Sequence, residues 1–274
     1  MASLLEQHLS ELAIFALVLV RIGALVAVAP MFGSVAVPLQ LRAVLALALA
    51  AVVTPFELDK ATAVPPSLLA WLVLAGAEAL VGLVLGLGVM VLFSALQVAG
   101  QIISQMSGMQ LADAFDPSLG GNVPVFSQLF YYVTLAVFLA IGGHRHVLEA
   151  LFDTFVWMPA GQGEYAPSVA AAMTSVLAQS FVLGIRAAAP VMVALLVATL
   201  ILGLVARTLP QLNILALGFG ANAMVAFVAL SLSLGAAAWL FQDQLEPVLE
   251  TLTDALKSRL GAVTAALDAA AAAR

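Results

Sequence analysis

Residues 68–96 read LLAWLVLAGAEALVGLVLGLGVMVLFSAL, and this apolar run indicates the class of protein. Its only charged residue is Glu78, and it is longer than the ~20 apolar residues that a membrane-spanning helix needs. Alanine and leucine, which favour helix most strongly, recur throughout it, so the run predicts a helix rather than a strand. Gly82 and Gly86 form a small-xxx-small pattern, which lets two helices approach closely. We therefore expect Leu68–Leu96 to be a tightly packed membrane helix.

The composition of the whole chain agrees with a membrane protein. Of its 274 residues, 64% are hydrophobic and 9% are charged, whereas about 25% charged residues are usual in a soluble domain. A globular protein of this size would need many more charged groups to cover its surface. The net charge of −6, with scattered Lys and Arg, excludes nucleic acid as a partner, because phosphate binding needs clustered cations. The lack of cysteine excludes disulfides and thiolate metal sites.

Other apolar runs lie on both sides of the first. The longer ones are Leu12–Ala29, Ala43–Val53 (if extended back through Pro38 and Arg42), Val123–Gly143, Ala187–Ala206 and Leu212–Phe241, and the weaker ones are Val147–Met158 and Val169–Ile185. Residues 1–11 contain Glu but no Lys or Arg, so we expect Leu12–Ala29 to be a retained helix rather than a signal peptide. The sequence predicts an all-α, polytopic membrane protein of about six to eight hydrophobic helices.

Residues 243–274 differ from the hydrophobic body that we assign to residues 1–242. Leucine and valine recur there at spacings of three and four, with charged residues on the opposite face: Leu245, Val248, Leu249, Leu252, Leu256, Leu260, Val263 and Leu267. This spacing predicts an amphipathic helix. We expect this tail to lie on a surface or against a partner helix.

Three charged residues inside the apolar runs are candidate buried ionic groups. They are Arg21, Glu78 and Arg186. An unpaired charge at bilayer depth is costly, so such residues pair with one another or mark an ion pathway. A pathway would need a series of acids and histidines, and Glu78 is the clear acid within a run. Arg207 lies at the edge of a run in the same way. We therefore favour a structural role, in which Glu78 pairs with Arg21 or with Arg186, or in which these helices face protein or water rather than lipid.

Catalysis is not predicted. His144 and His146 are two residues apart and point to different sides of a helix, and no Asp, Glu or Cys set nearby completes a metal site. The sequence has no glycine-rich phosphate-binding loop and no Ser/His/Asp grouping. We predict a protein without enzymatic activity, cofactor or metal.

The segment between the third and fourth apolar runs is polar but almost uncharged. Its first part consists of Gln101, Ile102, Ile103, Ser104, Gln105, Met106, Ser107, Gly108 and Met109. Such a segment cannot face lipid, because its polar groups would lack hydrogen-bond partners there. Methionine packs adaptably against changing surfaces, so a flexible loop of this composition suits a soft seal. An ordinary surface loop is the alternative.

Several short motifs are spaced along the chain. They are Arg21-Ile22-Gly23, Ala29-Pro30-Met31-Phe32-Gly33 with Val37-Pro38, Gly100–Met109 with Asp116-Pro117, Gly142–Arg145 with Phe155–Pro159, Ala189-Pro190, and Pro210-Gln211-Leu212-Asn213-Ile214. Together they resemble the FliR/SctT family of bacterial type III secretion export-gate proteins. The order of the motifs is that of the family. The chain departs from it after Phe219, where Gly220, Ala221 and Asn222 replace the proline and lysine that commonly follow.

The resemblance implies a non-enzymatic subunit of a protein export gate, built from helical hairpins. Its partners would be FliP, FliQ and FlhB in the bacterial inner membrane at the flagellar basal body, with membrane lipid around it and unfolded flagellar proteins passing through the pore. The loop that plugs the closed pore in relatives falls on residues 101–121. Pro210, Gln211, Leu212 and Asn213 would be an assembly motif.

Two alternatives remain at this point. An injectisome subunit of the SctT type would do the same work in virulence secretion. A small secondary transporter would instead show inverted repeats with broken helices, and no such pairing is visible in the sequence.

Overall fold

The computed structural model describes residues 2–33, 37–58, 60, 67–109, 124–162, 167–209 and 214–272. In these residues the regular structure is helical and no strand occurs, which confirms the predicted all-α class. The helices are α1 (Ala2–Val28), α2 (Leu39–Glu57), α3 (Leu68–Ser107), α4 (Val125–Ala140), α5 (Gly143–Trp157), α6 (Pro167–Thr208) and α7 (Ile214–Ala272).

The length and composition of these helices fit a polytopic membrane protein. Within the described ranges, five helices are long and apolar enough to cross a membrane: α1, α2, α3, α6 and α7. The pair α4 and α5 is a sixth candidate, bent by 66° at the short break between them. The predicted number of hydrophobic helices therefore agrees with the structure.

Several helices are longer than the apolar runs that predicted them. Helix α6 joins Val169–Ile185 to Ala187–Ala206 through Arg186, and α7 continues from the last apolar run into the amphipathic tail. The residues at these joins, such as Arg186, Gln242 and Gln244, have straight side chains that favour helix, so the change in polarity does not end the helix. The boundary that we placed between residues 242 and 243 therefore falls inside a continuous helix.

The chain forms two compact units. Unit 1 contains residues 1–90, 142–176 and 245–274, and unit 2 contains residues 91–141 and 177–244. Helices α3, α6 and α7 each contribute one part to each unit.

In unit 1, α1 packs against α2 and against the glycine face of α3. A Cβ atom at Gly82 would meet the carbonyl oxygen of Arg21 and would lie 3.0 Å from the Cβ of Ala24. A Cβ atom at Gly86 would lie 3.2 Å from the carbonyl oxygen of Leu25. Of the five candidate spans, α3 has the largest buried share, at 61%.

The tail of α7 is covered inside unit 1. The described members of its apolar stripe are all buried: Leu245, Val248, Leu249, Leu252 and Leu256. Leu252 and Val248 contact α3 at Gly88, and the Ser168 hydroxyl of α6 donates a hydrogen bond of 2.8 Å to the carbonyl oxygen of Ala255. The part of the stripe beyond residue 257 lies outside the described side chains. We expected the tail to lie on a surface or against a partner helix, and the described part of the stripe packs instead on α3 and α6 of its own chain.

Unit 2 has an aromatic core and two close helix contacts. The ring of Phe93 lies 5.4 Å from that of Phe138 and 5.3 Å from that of Phe241, centroid to centroid and edge to face. A Cβ at Gly100 would lie 2.5 Å from the carbonyl oxygen of Phe126, and a Cβ at Gly184 would lie 2.6 Å from that of Ala95. The backbones of α4 and α6 therefore rest directly on α3 in this unit.

The contact between α1 and α3 predicts different effects for two glycines of the same helix. Gly82→Ala should lower the free energy of unfolding by about 1–3 kcal/mol, because its methyl group forces the backbone of α1 away. Gly76→Ala is the control, since nothing lies within 4 Å of a Cβ at that position. Thermal unfolding of the two purified variants measures the difference. Equal midpoints for Gly82→Ala and Gly76→Ala would contradict the close contact.

Candidate functional site

A cluster of buried polar groups in unit 1 surrounds Arg21, in the C-terminal third of α1. Its side chain and that of Glu78 are both completely buried, and the Arg21 Nε donates a hydrogen bond of 2.5 Å to Glu78 Oε2. The guanidinium carbon also lies 4.1 Å from the centroid of the Phe155 ring, at a distance typical of a cation–π contact. The two charges that interrupt α1 and α3 in the sequence therefore neutralise each other.

Arg21 and Glu78 also hold the backbone that follows α5. Arg21 Nη1 donates hydrogen bonds of 3.0 Å to the Thr154 hydroxyl and 3.0 Å to the Met158 carbonyl oxygen. Glu78 Oε1 accepts a hydrogen bond of 2.9 Å from the Gly161 amide. These partners lie in or next to the 158–162 turn, which comprises Met158–Gln162 and closes with a 3.1 Å hydrogen bond from the Gln162 amide to the Pro159 carbonyl oxygen.

A second buried carboxylate reaches the same turn from α2. Glu57 Oε2 accepts a hydrogen bond of 2.9 Å from the Ala160 amide, and Glu57 Oε1 accepts one of 3.3 Å from Lys60 Nζ. The Glu57 side chain is 1% exposed, whereas that of Lys60 is 46% exposed. Gly161 has φ +87°, a conformation that glycine adopts without steric cost. Three helices thus bind one turn through side-chain hydrogen bonds.

We call Arg21, Glu57, Glu78 and the 158–162 turn the turn clamp. Inside the clamp Arg21 neutralises Glu78, and the partly exposed Lys60, outside it, pairs with Glu57. Burying such charges is favourable only if most of their hydrogen-bonding atoms find partners. The turn supplies two backbone amides, those of Ala160 and Gly161, whereas Arg21 Nη2 has no hydrogen-bond partner among the described residues. The arrangement contains no nucleophile paired with a base. Within the described ranges, no group of three His, Cys, Asp or Glu residues could hold a metal ion. What the clamp can do is hold four helices in a fixed arrangement.

Arg186 differs from the sequence expectation. It lies on α6 in unit 2 and its side chain is exposed, so it is not a buried ionic residue of this chain. The partner of Glu78 is Arg21. Spacing along the sequence could not distinguish the two arginines, because each interrupts an apolar run in the same way.

The candidate sealing segment is not a loop over its first part. Residues 101–107 form the last two turns of α3, and the helix ends at Gly108, whose φ of +78° is typical of a helix C-terminus. Gln101 and Gln105 are exposed, Ile102 and Met106 are partly exposed, and Ile103, Ser104 and Ser107 are buried. Gln and Met favour helix, and no proline interrupts them, so α3 continues through the polar segment.

Two predicted segments fall outside the described residues. Residues 110–121 form the second part of the candidate plug, and Pro210, Gln211, Leu212 and Asn213 form the candidate assembly motif. Both remain predictions.

Sequence reasoning did not identify two parts of the turn clamp, Glu57 and Gly161, or the neighbouring Thr154, which accepts a hydrogen bond from Arg21. Glu57, Thr154 and Gly161 were not singled out, although each one binds Arg21, Glu78 or the turn. Glu57 could have been identified from the sequence as an acidic residue that lies only four positions beyond the apolar run Ala43–Val53. The signal for the turn is the block Phe155–Pro159, one of the motifs quoted above.

Comparison with known proteins identifies the family. A sequence model described as bacterial export proteins, family 1, matches residues 12–248. The chain is 31% identical over 252 residues to the flagellar biosynthetic protein FliR of Bacillus subtilis strain 168, covering 88% of this chain and 94% of that protein. It is 32% identical over 214 residues to the FliR of Escherichia coli K12, with 78% and 81% covered, and 30% identical over 241 residues to that of Caulobacter vibrioides, with 87% and 95% covered.

The matched region includes α2, α3 and α5, and α1 from residue 12 onward, and it contains every residue of the turn clamp. The relatives quoted are all flagellar proteins, and the motifs that carried the resemblance lie within the same region. The chain therefore belongs to the bacterial export proteins, family 1, as the FliR-like member that its sequence motifs indicated.

Proposed function

We propose that this chain is a non-enzymatic subunit of the flagellar type III protein export gate, where it helps to form and seal the pore for unfolded flagellar proteins. The observation that carries the proposal is the apolar surface left exposed along α6. Several large apolar side chains between Leu177 and Leu204 are exposed. Only 17% of the part of α6 that could span a membrane is buried. At 1.5 Å per residue this surface is about 40 Å long, which exceeds the hydrocarbon thickness of about 30 Å.

Exposed apolar surface that extends beyond the hydrocarbon layer needs protein to cover it. A subunit of a larger membrane assembly meets this condition, whereas a solitary transporter would leave part of α6 in water. The names of the relatives favour a flagellar assembly over a virulence system. We infer FliP, FliQ and FlhB as the partners and the bacterial inner membrane at the flagellar basal body as the location.

Co-expression with these partners tests the proposal. We expect the chain to be recovered in a complex with FliP and FliQ, and a strain that lacks the chain to lose flagellar export. Recovery of a stable chain that binds neither partner, with normal export in the deletion strain, would contradict it.

The turn clamp supports this role by making the subunit rigid. A gate must keep its shape while an unfolded chain passes, and internal hydrogen bonds from buried charges fix helices at defined positions. Removing one partner of a buried ion pair leaves the other charge uncompensated, which lowers the stability of the protein more than the loss of a surface ion pair does.

Glu78→Ala should therefore destabilise the protein by about 3–5 kcal/mol and lower the yield of the assembled complex. Glu78→Gln should be milder, because the amide oxygen still accepts hydrogen bonds. The control is Glu149→Ala, which removes an exposed ion pair with Arg145 and should have little effect. Complex yield and thermal stability are the measurements. Wild-type values for Glu78→Ala would show that the pair does not stabilise the subunit.

The end of α3 supports the sealing role. Gln101 and Gln105 are four residues apart, so they lie on the same face of α3, where both are exposed. Helix α3 ends at Ser107, and residues 101–108 include no charged side chain. Weak amide and thioether contacts can be displaced by a passing chain more easily than ion pairs.

Met106→Ala combined with Met109→Ala should increase ion leakage through the closed complex while leaving assembly intact, because both methionines are only partly buried in this chain. Conductance of the reconstituted complex is the measurement. Met224→Ala, at a side chain 71% exposed on α7, is the control. A double variant that assembles and leaks no more than this control would exclude the end of α3 as the seal.

A further inference from the structure

A cavity of about 250 Å³ lies between the C-terminal part of α2 and α5, within unit 1. Its polar lining consists of Glu57 and Lys60. Its apolar lining consists of Val52, Val53 and Phe56 from α2 and Phe152, Phe155 and Val156 from α5. Neither the family assignment nor the proposed export role uses this cavity.

The turn clamp fixes the inner wall of the cavity. The buried Phe155 ring lies 4.1 Å from the guanidinium carbon of Arg21. The buried Glu57 accepts the 2.9 Å hydrogen bond from the Ala160 amide, which joins the end of α2 to the turn directly after α5. The cavity therefore exists before any ligand enters, and a preformed site binds without the cost of ordering its walls.

The outer wall of the cavity belongs to the exposed apolar surface of α2. Only 11% of this helix is buried, and its exposed large apolar side chains are Leu39, Leu41, Val44, Leu47, Val52 and Phe56. At 1.5 Å per residue this surface is about 27 Å long, so it fits within the hydrocarbon thickness of about 30 Å, which the exposed surface of α6 exceeds. Lipid can therefore cover α2 along its whole length.

A basic residue lies near each end of this surface. Arg42 is in the first turn of α2, and Lys60 is three residues beyond its last residue. Long basic side chains at the ends of a membrane helix extend towards the headgroups while their methylene groups stay against apolar surface. Lys60 lines the cavity and is 46% exposed, as this arrangement requires.

We propose that the cavity binds one acyl chain of a bilayer phospholipid, whose phosphate contacts Lys60. Valine and phenylalanine side chains from α2 and α5 surround the acyl chain. A lysine ammonium has three N–H donors, so Lys60 can bind Glu57 Oε1, 3.3 Å away, and a phosphate oxygen at the same time.

The charge of Glu57 indicates why the ligand is a lipid rather than a free phosphate. Its carboxylate balances the charge of Lys60, so this pair does not attract anions from solution strongly. An acyl chain gains instead from van der Waals contact, because an empty cavity that faces hydrocarbon leaves its lining atoms without neighbours. The phosphate contact then sets the depth at which the chain enters.

The test uses the complex co-expressed with its partner subunits, in nanodiscs of phosphatidylethanolamine and phosphatidylglycerol. A small share of the phosphatidylethanolamine carries a diazirine on its acyl chain, and mass spectrometry maps the residues that are labelled after illumination. We expect label on Phe152 and Val156 of α5. Diacylglycerol with the same diazirine chain lacks the phosphate, and should label these residues about fivefold less, as one lysine contact predicts.

Val52→Trp places a large ring at the cavity and should remove most of the label from α5. The matched control is Val44→Trp, because Val44 and Val52 lie on the same helix and are 62% and 65% exposed, but Val44 does not line the cavity. Equal labelling of α5 in the two variants, or equal labelling by the two probes, would overturn the proposal.

A partner subunit is the competing occupant of the cavity. Benzoylphenylalanine in place of Phe56, which is 71% exposed, captures whatever lies there in the assembled complex. We expect capture of phospholipid, and capture of a protein subunit would overturn the proposal. The inference does not rest on the export role, since the same labelling can be measured on the chain without partners, and export is measured separately.

Discussion

The ion pair between Arg21 and Glu78 is the constraint on which the rest of unit 1 depends. Both groups are completely buried, and removing a charge from water costs several kcal/mol unless partners replace the lost hydration. Pairing alone leaves further donors and acceptors unsatisfied. The Thr154 hydroxyl, the Met158 carbonyl and the Gly161 amide meet most of that need, although Arg21 Nη2 has no hydrogen-bond partner among the described residues. The burial of two charges therefore favours the position of the turn after α5. Glu57 adds a second carboxylate to the same turn from α2.

The ion pair depends on the close contact between α1 and α3. A side chain at Gly82 would meet the carbonyl oxygen of Arg21, so the absence of a side chain there brings Arg21 within reach of Glu78. Small residues at a helix contact and a buried ion pair usually have separate explanations, packing in one case and electrostatics in the other. Here the small residue at the helix contact is the condition for the buried ion pair. The buried ion pair and the close helix contact thus lie in the interior of unit 1, whereas α2 and α6 leave most of their apolar surface exposed.

The fold class followed from the sequence because apolar run length and alanine–leucine content depend only on local composition. The run Leu68–Leu96, its glycine face and its lone acid all correspond to features of α3. Helix ends were less predictable: α3 continues through the polar residues 101–107, and α7 continues past residue 242, because helix propensity does not follow hydropathy. The choice of Arg21 over Arg186 as the partner of Glu78, and the participation of Glu57 and Gly161, depend on contacts between residues far apart in sequence. No periodicity encodes such contacts.

Hydrogen exchange at the 158–162 turn tests most directly whether the buried charges hold this part of the protein. The turn lies outside the helices, directly after α5, and backbone amides outside regular helices ordinarily exchange their hydrogens quickly. The account predicts slow exchange at Ala160 and Gly161 in the wild-type complex, because their amides donate to the buried carboxylates of Glu57 and Glu78. Fast exchange at both amides in an otherwise folded wild-type complex would contradict it.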